Sequence, residues 1–212
     1  RQGILGFYDK RHLVPFGEYI PLQKYVPFLT KITDGSLGFS EGEGAKTMAA
    51  SGIYFNPLVC YEAIFTSEIL DKNSRPNLLV NLTNDAWFGN SSGPYQHLDM
   101  VRMRAIEYGI PIARVANTGV SAFIDPFGRV IKKINLNQSE TIDVNLVESL
   151  APTIYAKYMY IPIILLLMVK LFLIFLHQFT NGTRQDYSNR SSYRSKASRN
   201  AIGSRSNSRK IR

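Results

Sequence analysis

The chain has 212 residues, a formal net charge of +9, and 45% hydrophobic and 12% aromatic residues, enough for one domain of ordinary size with appendages. Its single cysteine, Cys60, excludes an internal disulfide and any multi-cysteine metal motif, and His12, His97 and His177 lie too far apart to suggest a metal site. Nine basic residues follow Asn181 against Asp186 alone, so that stretch holds eight of the nine net positive charges and the body of the chain needs no basic groove.

The opening Arg-Gln-Gly, without Met or a signal-peptide pattern, reads as a chain lacking its natural start. Residues 1–154 read as a mixed α/β domain. Leu13 to Lys46 is rich in Pro and Gly and weakly periodic, which predicts long loops of the kind that often serve as lids. Short apolar runs at Leu58–Cys60, Leu78–Leu82, Ile112–Val115 and Ser121–Ile124 are bounded by Gly, Pro or Asn and predict buried strands. Between them, Leu98, Val101, Ala105 and Tyr108 recur at helical spacing from His97 onward, and Gly109-Ile-Pro111 ends that helix. Asp125-Pro-Phe-Gly128 predicts a turn that leads into a strand over Arg129–Ile134.

Residues 155–180 predict one transmembrane helix. Ile161–Leu176 is apolar apart from Lys170, and Tyr155, Tyr158, Tyr160 and His177 flank it. The Ser/Arg/Asn-rich residues 181–212 cannot build a core and predict a disordered basic tail. Short basic flanks stay in the cytoplasm, so the tail is expected inside and the domain outside the inner membrane.

Three segments carry chemistry. Tyr8-Asp9-Lys10-Arg11-His12-Leu13-Val14-Pro15-Phe16-Gly17-Glu18 holds a lysine that could stabilise an oxyanion or thiolate, with a carboxylate to orient it. In Pro57-Leu58-Val59-Cys60-Tyr61-Glu62 a thiol ends an apolar run, where a sharp turn could project it into a crevice. By itself such a cysteine is more often core packing than a nucleophile. Asn84-Asp85-Ala86-Trp87-Phe88-Gly89 follows an apolar strand and suits a ligand wall or a capping turn.

Taken in order with Gly93-Pro94-Tyr95-Gln96-His97, Met103-Arg104-Ala105-Ile106-Glu107 and Asn117-Thr118-Gly119, these motifs resemble the apolipoprotein N-acyltransferases, a membrane-bound branch of the nitrilase superfamily. The resemblance runs from about Tyr8 to the apolar helix. It implies an α/β fold, a nitrilase-like α-β-β-α sandwich incomplete at its N-terminus. It also implies Cys60 as nucleophile and Lys10 as its catalytic partner, with Glu18, Tyr61, Glu62, Asn84 and Trp87 in supporting positions. The family's general-base glutamate precedes the lysine motif and is expected to be absent from this chain.

The reaction so implied moves a phospholipid acyl chain to Cys60 as a thioester. From there it passes to the amine of a diacylglyceryl-cysteine apolipoprotein. No metal or organic cofactor is required, no nucleic acid is involved, and a monomer is expected. The alternatives are an inactive remnant of such an enzyme and a nitrilase-type amidase acting on a small amide.

Overall fold

A computed structural model describes residues 3–4, 6–19, 21 and 39–178. The chain divides into two compact units, Arg1–Met159 and Tyr160–Arg212. The first is built on one six-stranded sheet in sequential order: β1 (Met48–Ala50), β2 (Ile53–Val59), β3 (Leu78–Asn84), β4 (Ile112–Asn117), β5 (Ser121–Ile124) and β6 (Val130–Ile134). The central strands β2, β3 and β4 run parallel, and β1, β5 and β6 join antiparallel at the two sides. Parallel neighbours need crossovers, and the longer one, between β3 and β4, carries helix α1 (Gly93–Tyr108).

The expected helix is present and starts one turn earlier than its apolar spacing suggested. Pro94 lies in its first turn, where a missing N–H costs nothing and the fixed φ suits the helix. Gly109 ends it in the left-handed conformation (φ 64°, ψ 35°), with its N–H bonded to the Ala105 carbonyl. Leu98, Val101, Ala105 and Tyr108 are buried, and they form one core with Leu58, Leu79, Ile112 and Ile124 of the sheet. Removing each of the Leu, Ile and Val side chains among them from water contributes roughly 1.5–3 kcal/mol.

The apolar runs do form strands, but β3 and β4 are buried on one face only. Leu79, Asn81 and Thr83 point into the core while Leu82 is half exposed, and Val115 of β4 is exposed as well. The period of two puts alternate residues on opposite faces, and among the described residues a helix layer covers just one of them. The chain therefore supplies one sheet and one helix layer of a nitrilase-like mixed α/β fold. Residues 20 and 22–38, about half of the expected loop stretch, lie outside the described residues, as do residues 179–212 and with them the basic tail.

β5 and β6 form the expected hairpin. Asp125 accepts hydrogen bonds from the Phe127 N–H (3.0 Å), the Arg129 N–H (2.9 Å) and Arg129 Nε (2.6 Å). Burial pushes its carboxyl up, but these donors outweigh burial and hold its pKa below the ordinary value. A depressed carboxylate stabilises the fold above its unfolded pKa, and that contribution is lost on acidification. Asp125→Ala is expected to cost about 1–3 kcal/mol at pH 7, with the difference shrinking below about pH 4. Urea titrations of both proteins at pH 7 and pH 3 check this, and a pH-independent difference would contradict it.

The sheet unit closes with the short helix α2 (Ile154–Tyr158), whose N-terminal Thr153 hydroxyl accepts the Ala156 N–H. Tyr155 of α2 meets Tyr108 of α1 edge to face at 6.2 Å, so Tyr155 and Tyr158 belong to this helix rather than to the apolar one. In the second unit, α3 (Ile161–Gln178) has a mean hydropathy of 2.2. Its 18 residues rise about 27 Å at 1.5 Å each, close to the ~30 Å hydrocarbon thickness of a bilayer. By length and composition it could cross a membrane.

Candidate active site

Parallel strands direct all their carboxyl ends to one edge of the sheet, where ligands bind in open α/β folds. β2 ends there at Val59 and hands the chain to Cys60, β3 ends at Asn84, and β4 ends at Asn117, directly opposite Asn84. Val59 is extended (φ −93°, ψ 113°), whereas Cys60 has φ 54° and opens a 3-10 turn over Cys60–Ile64. A left-handed conformation at a residue with a side chain costs roughly 1–2 kcal/mol. The turn holds it because Glu62, two residues on, reaches back to accept the Val59 N–H at 2.6 Å. The Cys60 sulfur lies at the mouth of this bend, half-buried, 3.3 Å from the Thr83 hydroxyl of β3.

Glu62 is fully buried and accepts far more than that one bond. Its Oε1 takes the backbone N–H groups of Arg11 (2.7 Å) and His12 (3.2 Å), and its Oε2 takes the Tyr8 hydroxyl (3.0 Å). Arg11 Nη1 stands 3.8 Å from the same carboxylate. Burial, then the Glu62 charge, raises the Tyr8 pKa, so this hydroxyl remains a donor. One carboxylate thus bolts the Lys10 segment to the Cys60 turn. His12 stacked on Phe65, with ring centroids 3.4 Å apart, completes the junction.

Lys10 lies between these anchors. Its Nζ bonds both oxygens of Glu18 at 2.5 and 2.6 Å, and Glu18 also accepts the Val14 N–H at 2.8 Å. The ammonium is therefore aimed by a chelating carboxylate on its own segment. Gly42 donates its N–H to the Lys10 carbonyl (2.9 Å) and lies so close to Asp9 that a Cβ would stand 2.2 Å from the Asp9 carbonyl oxygen. Any other residue at 42 would displace the strip that carries the lysine.

Beneath Cys60 runs a buried polar network that the sequence reading did not single out. Thr83 lies 3.1 Å from Asp85 Oδ1, His97 Nδ1 of α1 meets the same oxygen at 2.9 Å, and Arg114 Nη2 of β4 meets Oδ2 at 2.6 Å. Arg114 also bonds Asn81 Oδ1 at 2.6 Å, and Asn81 reaches the Leu58 and Cys60 carbonyls. Burial pushes the Asp85 carboxyl up, yet the His97 hydrogen bond and then the Arg114 charge prevail, and its pKa lies below the usual range. Burial likewise lowers the Arg114 pKa, against the opposing pull of Asp85 and of Cys60. Gly119 of the Asn-x-Gly motif is required here, since a Cβ would lie 2.2 Å from Asp85 Oδ2. The available signal was Arg114 itself: a lone charge inside an apolar strand must have a buried partner.

The remaining residues singled out from sequence line the same edge. Asn84 caps the turn after β3 by accepting the Ala86 N–H (3.2 Å), and it also accepts from Asn117 Nδ2 (3.2 Å). The Tyr61 ring lies 5.4 Å from that of His97. Trp87 is 77% exposed, so it is not a core tryptophan. Among the described residues no group of three or more His, Cys, Asp or Glu side chains is placed to hold a metal.

A family profile described as carbon-nitrogen hydrolase matches residues 1–155. The apolipoprotein N-acyltransferase of Rhodopseudomonas palustris is 45% identical over 185 residues, covering 85% of this chain and 34% of that protein. That of Bradyrhizobium diazoefficiens is 48% identical over 157 residues, covering 73% and 29% respectively. Among solved structures, a CN-hydrolase superfamily protein from Xanthomonas campestris aligns at 26% identity with a TM-score of 0.45, covering 62% of this chain and 49% of that one. The chain spans about a third of the length of the curated relatives it matches. The profile match takes in the Lys10 segment, the Cys60 turn and the whole sheet, and the chain belongs to the carbon-nitrogen hydrolase family as a homologue of the apolipoprotein N-acyltransferases.

Proposed function

We propose that this chain is a catalytic portion of an apolipoprotein N-acyltransferase. Its Cys60 thiolate attacks the acyl ester of a phospholipid, and a thioester forms as a lysophospholipid leaves. The α-amine of a diacylglyceryl-cysteine apolipoprotein then attacks the thioester, yielding an amide and freeing the thiol. Two moderate steps replace one difficult exchange, because a thioester is a good acyl donor to an amine. Each tetrahedral intermediate carries an oxyanion that the Lys10 ammonium, aimed by Glu18, stabilises by about 3–4 kcal/mol.

The observation that carries this reading is the Glu62 clamp, which ties the Lys10 segment to the left-handed Cys60 turn at the carboxyl edge of the parallel strands. Glu62 and Glu18 hold donors on both oxygens, so neither is assigned the thiol proton. That role falls to a glutamate which the family pattern puts ahead of the lysine motif. Asn84 and Trp87 form the wall of the site. α3 anchors the enzyme in the inner membrane, with the sheet domain periplasmic, the basic tail cytoplasmic and the enzyme acting as a monomer.

Intact-mass measurement after incubation with phospholipid vesicles tests the first half-reaction. An added acyl mass that hydroxylamine removes, absent in Cys60→Ala, supports it. Lys10→Ala is expected to slow formation of the adduct roughly 10²–10³-fold without unfolding the protein. If the adduct appears only when an N-terminal extension supplies the upstream glutamate, this chain is an inactive piece of the enzyme. If it appears in neither form, the acyltransferase reading is lost.

A further inference from the structure

We propose that the Thr83 hydroxyl is the group that solvates the Cys60 thiolate, switching its hydrogen bond between the sulfur and Asp85 as the thiol ionises. Thr83 Oγ1 lies 3.3 Å from Cys60 Sγ and 3.1 Å from Asp85 Oδ1. A hydroxyl owns one proton and can donate to only one of them at a time. With Cys60 protonated, the S–H donates to Thr83 Oγ1 and the hydroxyl donates to Asp85. Once the thiol has lost its proton to the base, the sulfur can only accept, and the hydroxyl turns to it. No bond to Thr83 forms or breaks; only the direction of its O–H changes.

Asp85 tolerates losing that donor because two others remain, His97 at 2.9 Å and Arg114 at 2.6 Å. Its charge would repel a thiolate, and the Arg114 guanidinium bonded to its Oδ2 offsets this. The titratable and charged groups on the elements packed about the Cys60 turn include Tyr61 and Glu62 on the turn itself, Asp85 after β3, His97 on α1 and Arg114 on β4, and the proposed site adds Lys10. Tyr8, Arg11 and His12 join them through Glu62. The Thr83 hydroxyl bonds the sulfur itself, so removing it alters the thiolate while the charges stay in place.

Because this role rests on Cys60 being the nucleophile, its test reads the thiol without any acyl donor. The rate of alkylation by iodoacetamide is followed against pH for the full chain in detergent micelles. Thr83→Val keeps the volume and removes the hydroxyl; Thr83→Ser keeps the hydroxyl. The valine variant is expected to show its midpoint about one pH unit higher, with alkylation near neutrality about tenfold slower, and the serine variant is expected to follow the parent. An unmoved midpoint in Thr83→Val overturns the role, as does a serine variant that shifts like valine, since that would make Thr83 a packing residue. If the valine protein does not fold, Thr83→Ala serves as the hydroxyl-free variant with the same two outcomes. Failure of acyl transfer with the expected thiol profile would count against the acyltransferase reading and leave the hydroxyl's role standing.

Discussion

Glu62→Gln is expected to destabilise the sheet domain by about 3–5 kcal/mol, the range for removing one partner of a buried charged pair. The carboxylate is fully buried and accepts from Tyr8, Arg11, His12 and Val59, four donors on two chain segments about fifty residues apart. An amide has one acceptor oxygen. Whichever pair of donors that oxygen serves, the other pair faces an NH₂ group that is itself a donor. Arg11 also loses the charge that accompanies its burial.

The contrast with the surface decides which ion pairs matter. Asp99 and Arg102 pair at 2.8 Å on the exposed face of α1, and exposed pairs of that kind contribute about 0–1 kcal/mol. Urea titration of Glu62→Gln and Asp99→Asn in detergent micelles checks the ranking. Equal losses in the two variants would show that Glu62 is not a clamp. The Glu62→Gln protein is also expected to lose acyl transfer, because the Lys10 segment is no longer held against the Cys60 turn.

A loss of similar size, about 3–5 kcal/mol, is expected for Asp85→Asn, for a different reason. The side chain keeps its shape but leaves the Arg114 guanidinium, which is almost fully buried, without its counter-charge. Replacing both members, Asp85→Asn with Arg114→Met, removes the stranded charge, so the double variant is expected to be more stable than Asp85→Asn alone. Such a cycle isolates the coupling, and strictly additive losses would contradict the network.

Acid should act on the same pair. Because Asp85 has a depressed pKa in the fold, its contribution is present above the unfolded carboxyl pKa near ~3.9 and is lost as pH falls through the folded value. The Asp85→Asn protein is expected to show a flatter decline of stability between neutral and acid pH than the parent.

Much of this architecture could be read in advance because its signals are local. The apolar runs of β3, β4 and β5 lie between Gly, Pro and Asn. Leu98, Val101, Ala105 and Tyr108 share one stripe of α1. Asp125 and Gly128 carry their own turn chemistry, and α3 is apolar from Ile161 to Leu176 apart from Lys170. The ordered motifs around Lys10, Cys60 and Asn84 identified the family, because residue order is itself sequence information.

Long-range pairing had no such signal. Nothing local to Cys-Tyr-Glu indicates that Glu62 takes the backbone N–H groups of Arg11 and His12, fifty residues earlier. Likewise, Thr83 and Asp85 at the end of β3, His97 on α1 and Arg114 on β4 come from three separate places in the chain. They converge because parallel β3 and β4 run side by side while α1 packs across them. Periodicity and propensity follow from each residue's neighbours in sequence, whereas the partner of a buried charge follows from which elements fold against one another.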